Sequence, residues 1–276
     1  MKVVGRRLVG LSFVVAVLVA GCGDEGGSSR LLRHGAEGTV TIGVTDDQPG
    51  SSLLRVDGKY RGFDVDVATY VAGRLGVPAD RIVWRPVELA DREDAIESGR
   101  VDLVVAGYSI TEERKRRVGF AGPYFVAGQD LLVLSGEKGI TGPEALDGRT
   151  LCSAKGTTSA ARIKASFARG VRLVEKFDFS ECVTGLLVGE VDAVTTDNLI
   201  LAGYVAKNPE LLRIVGKTFS EELYGVGLKK GDVEGRDAVD AALRKMVEDG
   251  EWKKALARNF PGTGFEEFVA PEVGRV

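Results

Sequence analysis

One pattern occurs twice in this chain, first as Glu97-Ser98-Gly99-Arg100-Val101-Asp102-Leu103-Val104 and again as Val188-Gly189-Glu190-Val191-Asp192-Ala193-Val194. Each copy contains the end of a helix, a glycine that stops it and a strand that begins with Val-Asp. Two copies of one unit predict two similar lobes. Crossing segments near residues 126–131 and 222–226 predict a two-strand hinge, and a cleft between lobes is a common place for a ligand.

The segments around this repeat alternate between strand and helix signals. Val40–Val44 is a β-rich run, and the apolar residues of 63–75 recur at helical spacing. Such alternation is typical of α/β folds with mainly parallel sheets. We therefore predict an α/β fold in which residues 38–127 and 224–276 form the first lobe and residues 128–223 form the second.

Composition excludes several classes of protein. The 276 residues are 44% hydrophobic and 28% charged, with a net charge of −3, which excludes a multi-spanning membrane protein and disfavours a nucleic-acid partner. The single histidine, His34, leaves little basis for Ser-His catalysis or a histidine-based zinc site. We therefore expect no catalytic residues, no metal and no other cofactor.

The N-terminus is expected to be an export signal. Basic residues precede the apolar run Leu8–Ala20, and residues 1–21 read as a signal peptide. The run ends in small residues before Cys22, which resembles the bacterial lipobox and implies cleavage before this cysteine and its lipidation. A plain signal peptide with a chance cysteine is the alternative. Residues 22–37 would form a flexible Gly/Ser-type tether to the membrane.

The two remaining cysteines can be interpreted in two ways. Cys152 and Cys182 are an even number in an exported chain, where disulfides persist. We expect them to form a disulfide, and two buried free thiols are the alternative.

A group of polar residues follows the strand of the first repeat copy. Gly107, Ser109 and Arg114 come where this strand ends and a helix begins. Free N–H groups at a helix start suit an anion, and a guanidinium matches a carboxylate bidentately. The alternative is that residues 112–117 are a charged, solvated helix face.

The second lobe repeats this arrangement. Thr157 and Thr158 follow a strand and precede a helix, and either could bind an anion or serve as an ordinary N-cap. Asp197 ends another strand of the same lobe. It could accept hydrogen bonds from an ammonium group, and it could equally be an N-cap.

These residues together carry a family resemblance. The chain resembles the polar-amino-acid substrate-binding proteins of bacterial ABC importers, a family-3 group of extracellular solute-binding proteins, and is most similar to glutamate-type binding lipoproteins of Gram-positive bacteria. The resemblance runs from about Thr39 to Asn259. It rests on the lipobox and on four segments: Gly62–Asp66, Gly107–Thr111 with Arg114, Lys155–Thr158 and Val191–Asp197.

The resemblance implies a type II periplasmic-binding-protein fold and a role for each residue. Arg114 would hold the α-carboxylate of the ligand, helped by Gly107, Ser109 and Thr158. Asp197 would take the α-ammonium group. A cation at one end and a carboxylate at the other suit a zwitterion, in agreement with the physical reading of the residues.

Four further residues bear on which ligand side chain the protein would accept. Arg92 lies where glutamate- or aspartate-specific relatives place an arginine on the side-chain carboxylate, and a solvated helix start is its alternative. The aromatic residue that many relatives carry after the first strand is missing, and Gln48 is the substitute contact that we predict. Asp46 and Asp47 would repel an acidic ligand if they faced the cleft, and would suit a basic one.

The resulting prediction is a lipid-anchored receptor on the outer face of the cell membrane. It would capture glutamate first, then aspartate, glutamine or asparagine, by cleft closure, and deliver the ligand to an ABC permease. We expect a monomer. The alternatives are a sensor that signals to a membrane partner and a periplasmic dehydratase on the same fold.

Overall fold

The computed structural model describes Met1 and residues 29–167 and 170–274, so the expected signal peptide and Cys22 lie outside the described residues. Within these ranges the helices are Arg30–Ala36 (α1), Phe63–Arg74 (α2), Arg92–Glu97 (α3), Glu112–Lys115 (α4), Ser159–Ser166 (α5), Phe179–Leu187 (α6), Asn198–Lys207 (α7), Val233–Glu248 (α8) and Glu251–Asn259 (α9). None of them is long and apolar enough to span a bilayer.

The strands form two five-stranded sheets and one small three-stranded sheet. They are Val40–Val44 (β1), Asp47–Gln48 (β2), Ser52–Leu54 (β3), Tyr60–Arg61 (β4), Ile82–Pro86 (β5), Leu103–Val104 (β6), Gly119–Ala127 (β7), Gln129–Leu134 (β8), Thr150–Ala154 (β9), Arg172–Lys176 (β10), Ala193–Asp197 (β11), Leu212–Ile214 (β12) and Glu222–Leu228 (β13).

The first lobe is built on the sheet β5-β1-β6-β13-β7. Strand β1 is parallel to both β5 and β6, as the apolar runs joined by helices predict, whereas β13 is antiparallel to β6 and β7. The predicted helical face of α2 is buried: Phe63, Val67 and Val71 are fully enclosed in the core of this lobe. Helices α8 and α9 pack on the same core.

The second lobe repeats this plan with the sheet β10-β9-β11-β8-β12. Its strands β9, β10 and β11 are parallel, and β8 runs antiparallel beside β11. The chain enters this lobe after Ala127 and returns to the first lobe with Glu222, so two crossings join the lobes. The predicted two-lobed α/β fold with a two-strand hinge is confirmed.

The cysteine pair is also confirmed as a disulfide. Cys152 on β9 is bonded to Cys182 on α6, with their Cα atoms 5.5 Å apart. Both cysteines are fully buried in the core of the second lobe. The alternative of two free thiols is therefore wrong, and the bond fixes α6 against the sheet.

Two local expectations were wrong. Residues 30–36 of the predicted tether form α1, which is capped by Ser29 and held by Asp102 through its contacts with Arg30 and His34. The apolar run at 101–106 forms only the two-residue strand β6. The segment 47–61 contains the short strands of the third sheet, which are too brief to show a period of two.

Candidate ligand-binding cleft

A narrow cavity of about 20 Å³ lies between the lobes, roughly the space of one water molecule. Seven of the eight predicted binding residues line it: Arg92, Gly107, Ser109, Arg114, Thr157, Thr158 and Asp197. The remaining lining residues are Leu89, Ser159, Phe179, Thr196 and Ile200. Strand ends and helix starts of both lobes therefore meet here, because the carboxyl ends of parallel strands lie on one edge of each sheet.

Arg114 is buried, so the alternative that it lies on a charged, solvated helix face is wrong. Its Nη1 donates to the carbonyl of Ser109 at 2.7 Å, its Nη2 donates to the carbonyl of Gly156 at 2.9 Å, and its Nε lies 3.2 Å from Glu93. These contacts use three of the five N–H donors of a guanidinium, and two remain for a ligand.

Arg92 is buried as well, with only 2% of its surface exposed, so its alternative as a solvated residue is wrong. It donates to the carbonyls of Leu89, Ala106 and Gly156. Burial, and then the charge of Arg114, lowers the pKa of Arg92 to about 9. The side chain keeps its positive charge at neutral pH.

Tyr108 supports both guanidinium groups. Its ring centroid lies 4.4 Å from Cζ of Arg92 and 4.9 Å from Cζ of Arg114, which are cation–π distances. Both arginines, from the first lobe, donate to one carbonyl oxygen of the second lobe, that of Gly156. The pair thus places two cationic groups at the cavity.

Asp197 supplies an acidic side chain to the same cavity. Its Oδ2 accepts a hydrogen bond of 2.6 Å from the hydroxyl of Tyr224, while its Oδ1 is buried and has no hydrogen-bond partner among the described residues. Asp197 occupies the N-cap position of α7 but its side chain makes no capping bond, so the N-cap alternative is wrong. Burial, and then the nearby Glu222, raises the pKa of Asp197 to about 7.

Gly107 lines the cavity, but its N–H is not available to a ligand carboxylate. It donates to Oδ2 of Asp64 at 2.9 Å, and Oδ1 of Asp64 accepts from Tyr124 at 2.8 Å. The carbonyl is the remaining polar group of Gly107, and a carbonyl suits an ammonium group. The predicted role of Gly107 in ligand binding therefore stays a prediction, and it would not involve the N–H as the structure stands.

The two threonines stand at the start of α5. The hydroxyl of Thr157 donates to the carbonyl of Ala154 at 2.7 Å. Thr158 is the N-cap residue of this helix, but its side chain makes no capping bond. The N-cap alternative is therefore wrong for the side chain of Thr158, which lines the cavity.

Gln48, Asp46 and Asp47 lie elsewhere. Gln48 is fully buried, does not line the cavity, and neither polar atom of its amide has a partner among the residues described. Asp46 and Asp47 line a second cavity of about 320 Å³, which also lies between residues of the two lobes. The prediction that Gln48 contacts the ligand is not supported by this position, and the two aspartates do not line the cavity that holds the arginine pair.

Sequence reasoning missed the residues that support this pair. Tyr108, Tyr224 and Glu93 were not among the predicted site residues. Their roles depend on contacts between segments far apart in the chain, such as the 2.6 Å bond from Tyr224 to Asp197. An aromatic residue directly after Gly107 was the one local signal.

Two lobes that meet around a cavity lined by two cations and a carboxylate define a two-lobed solute-binding protein. The chain belongs to the bacterial extracellular solute-binding proteins of family 3, whose model matches residues 40–262. This family consists of binding proteins, so the prediction of a receptor rather than an enzyme is confirmed, and the dehydratase alternative is wrong.

Its relatives are binding proteins for amino acids. The chain is 40% identical over 262 residues to the glutamate-binding protein GluB of Corynebacterium glutamicum, covering 91% of this chain and 88% of that one. It is 32% identical to the ABC transporter glutamine-binding protein GlnH of Bacillus subtilis, covering 88% and 92%. A solved ancestral arginine-binding protein bound to glutamine matches with a TM-score of 0.75 and 38% identity, covering 81% of this chain and 98% of that one.

Proposed function

We propose that this protein captures an acidic amino acid, with L-glutamate as its preferred ligand. The observation that carries the proposal is the polarity of the cavity. Arg92 and Arg114 offer two guanidinium groups to the cavity, and Asp197 offers a buried carboxylate oxygen that has no hydrogen-bond partner among the residues described. One cation would hold each carboxylate of glutamate, and Asp197 would hold the ammonium group. The name of the relative GluB agrees with this choice.

Binding requires the lobes to separate and close again. The cavity holds about one water molecule, and the carbonyl of Gly156 lies between the two arginines where a carboxylate oxygen would bind. A ligand carboxylate would replace this carbonyl as the acceptor. Because contacts to both lobes exist only in the closed form, the ligand would stabilise closure by its differential affinity.

Calorimetry of the purified protein with L-glutamate, L-aspartate, L-glutamine, L-asparagine and L-arginine tests this proposal. Arg114→Lys should weaken binding of all ligands by about a hundredfold, because a lysine cannot make the bidentate contact. Arg92→Gln should weaken glutamate binding more than glutamine binding. Arg85→Gln, at an exposed position on β5, is the control. If none of the first four ligands binds, the proposed specificity is wrong.

We further propose that Cys22 carries a lipid that anchors a monomeric receptor to the outer face of the membrane, where it serves an ABC permease. The small residues before Cys22 and the ABC transporter name of the relative GlnH support this. Cys22→Ser should release the protein into the medium. Loss of glutamate uptake in a strain lacking the protein would separate import from signalling, since a sensor leaves uptake unchanged.

A further inference from the structure

Asp47 connects the two lobes and does not line the candidate ligand cavity. Its Oδ2 accepts hydrogen bonds from the backbone N–H of Phe179 at 3.0 Å and of Ser180 at 3.2 Å. The hydroxyl of Tyr204 lies 3.0 Å from the same oxygen and 2.9 Å from the carbonyl of Asp47. We call this set of contacts the Asp47 bridge.

The Asp47 bridge can exist only when the lobes are together. Asp47 belongs to β2, which follows the first-lobe strand β1, whereas α6 and α7 belong to the second lobe. The first N–H groups of a helix have no partner within it. In α6 the N-cap residue Asp178 accepts from the N–H of Glu181, and the N–H groups of Phe179 and Ser180 are taken by Asp47.

The charge of Asp47 suits this position. A carboxylate is favoured at the positive end of a helix, and α6 is fixed in place by its disulfide to β9. Burial, and then the negative charge of Asp178, raises the pKa of Asp47 to about 6. At pH 7.5 the side chain is therefore ionised and can accept from all three donors.

A second contact shows how closely the lobes approach beside the Asp47 bridge. Gly203, inside α7, has no side chain, and a Cβ atom added there would lie 1.7 Å from the carbonyl oxygen of Pro49, which is two residues after Asp47. Two atoms that are not bonded to each other cannot approach this closely. The closed arrangement therefore requires glycine at this place, although alanine is the better residue for a helix.

We propose that Asp47 is a positioning residue that holds the cleft closed and thereby sets the affinity for the ligand without touching it. This inference rests on the proposed function only in naming L-glutamate as the probe. In the open form the donors and the carboxylate face water, so the Asp47 bridge stabilises the closed form selectively. A ligand that binds the closed form gains affinity in proportion to the population of that form.

The first test needs no ligand. Amide hydrogen exchange, followed by NMR on the purified protein at pH 7.5, reports whether the N–H groups of Phe179 and Ser180 are bonded. Asp47→Ala should lose their protection, whereas Asp46→Ala, the exposed neighbour with the same charge, should keep it. Gly203→Ala should lose it as well. Equal protection in the wild type and in Asp47→Ala would overturn the proposal.

The second test measures affinity. Asp47→Ala should weaken L-glutamate binding by about tenfold to a hundredfold, because closure would bury donors that have lost their acceptor, and Asp46→Ala should bind as the wild type does. In the Gly203→Ala background, where closure is blocked, Asp47→Ala should have no further effect. If Asp47→Ala weakens glutamate binding equally in the wild-type and Gly203→Ala backgrounds, Asp47 does not act through closure of the cleft. A wild type that does not bind glutamate would refute the proposed ligand, while the exchange test would still decide the role of Asp47.

Discussion

The stability of this protein should fall as the pH rises, because Asp64 is protonated in the folded protein and loses this proton near pH 7. Asp64 lies in α2, is fully buried, and holds the N–H of Gly107 beneath the ligand cavity. Burial raises the pKa of Asp64 from 3.8 to about 7, against the opposing effect of hydrogen bonds from Tyr124 and Gly107. The folded protein therefore binds a proton that the unfolded chain has lost at pH 5.

The magnitude follows from this pKa shift. A shift of about three units corresponds to about 4 kcal/mol. An acid whose pKa is raised on folding contributes stability that is complete below the unfolded pKa of 3.8 and is lost as the pH rises through about 7. Between pH 5 and pH 8 the contribution of Asp64 to the free energy of unfolding should fall by about 3 kcal/mol.

Urea denaturation at pH 5, 6, 7 and 8 measures this effect. Asp64→Asn stays neutral at every pH and can still accept from Gly107, so its free energy of unfolding should fall by about 3 kcal/mol less than that of the wild type. Asp66→Asn, a half-exposed carboxylate on the same helix, is the control for the loss of one negative charge. If wild type and Asp64→Asn show the same pH dependence, the reasoning is refuted.

Three further outcomes are expected. Reduction of the bond between Cys152 and Cys182 opens a loop with a sequence separation of 30 and should lower the free energy of unfolding by about 3–4 kcal/mol in urea titrations with and without dithiothreitol. Asp197→Asn should weaken the binding of glutamate in calorimetry by about tenfold or more, since it removes the charge opposite the ligand ammonium, and should leave the fold intact by circular dichroism. Asp102→Ala should cost about 1–3 kcal/mol of stability, because the N–H of Thr41, which bonds to Asp102 at 2.9 Å, would lose its acceptor; an unchanged urea midpoint would contradict this.

Periodicity in the sequence predicted most of the fold. The helical spacing that begins at Phe63 and the strand Val40–Val44 are local signals, and both elements form where they were expected. The burial of Arg92 was not predictable in this way, since it depends on carbonyls 14 and 64 positions away. Asp47 bonds to N–H groups 132 and 133 positions away, and no neighbouring residue indicates this. Contacts across the cleft are therefore the part that local patterns leave out.

The placement of β13 has a consequence for the order in which the chain can fold as it is synthesised. The second-lobe sheet, from Gln129 to Ile214, is one uninterrupted stretch of chain, whereas β13 lies between β6 and β7 inside the first sheet. A chain that emerges N-terminus first can complete the inserted lobe while the first sheet still has a gap between two of its strands. The final docking step is then the arrival of residues 222–228, after which α8 and α9 can cover the core.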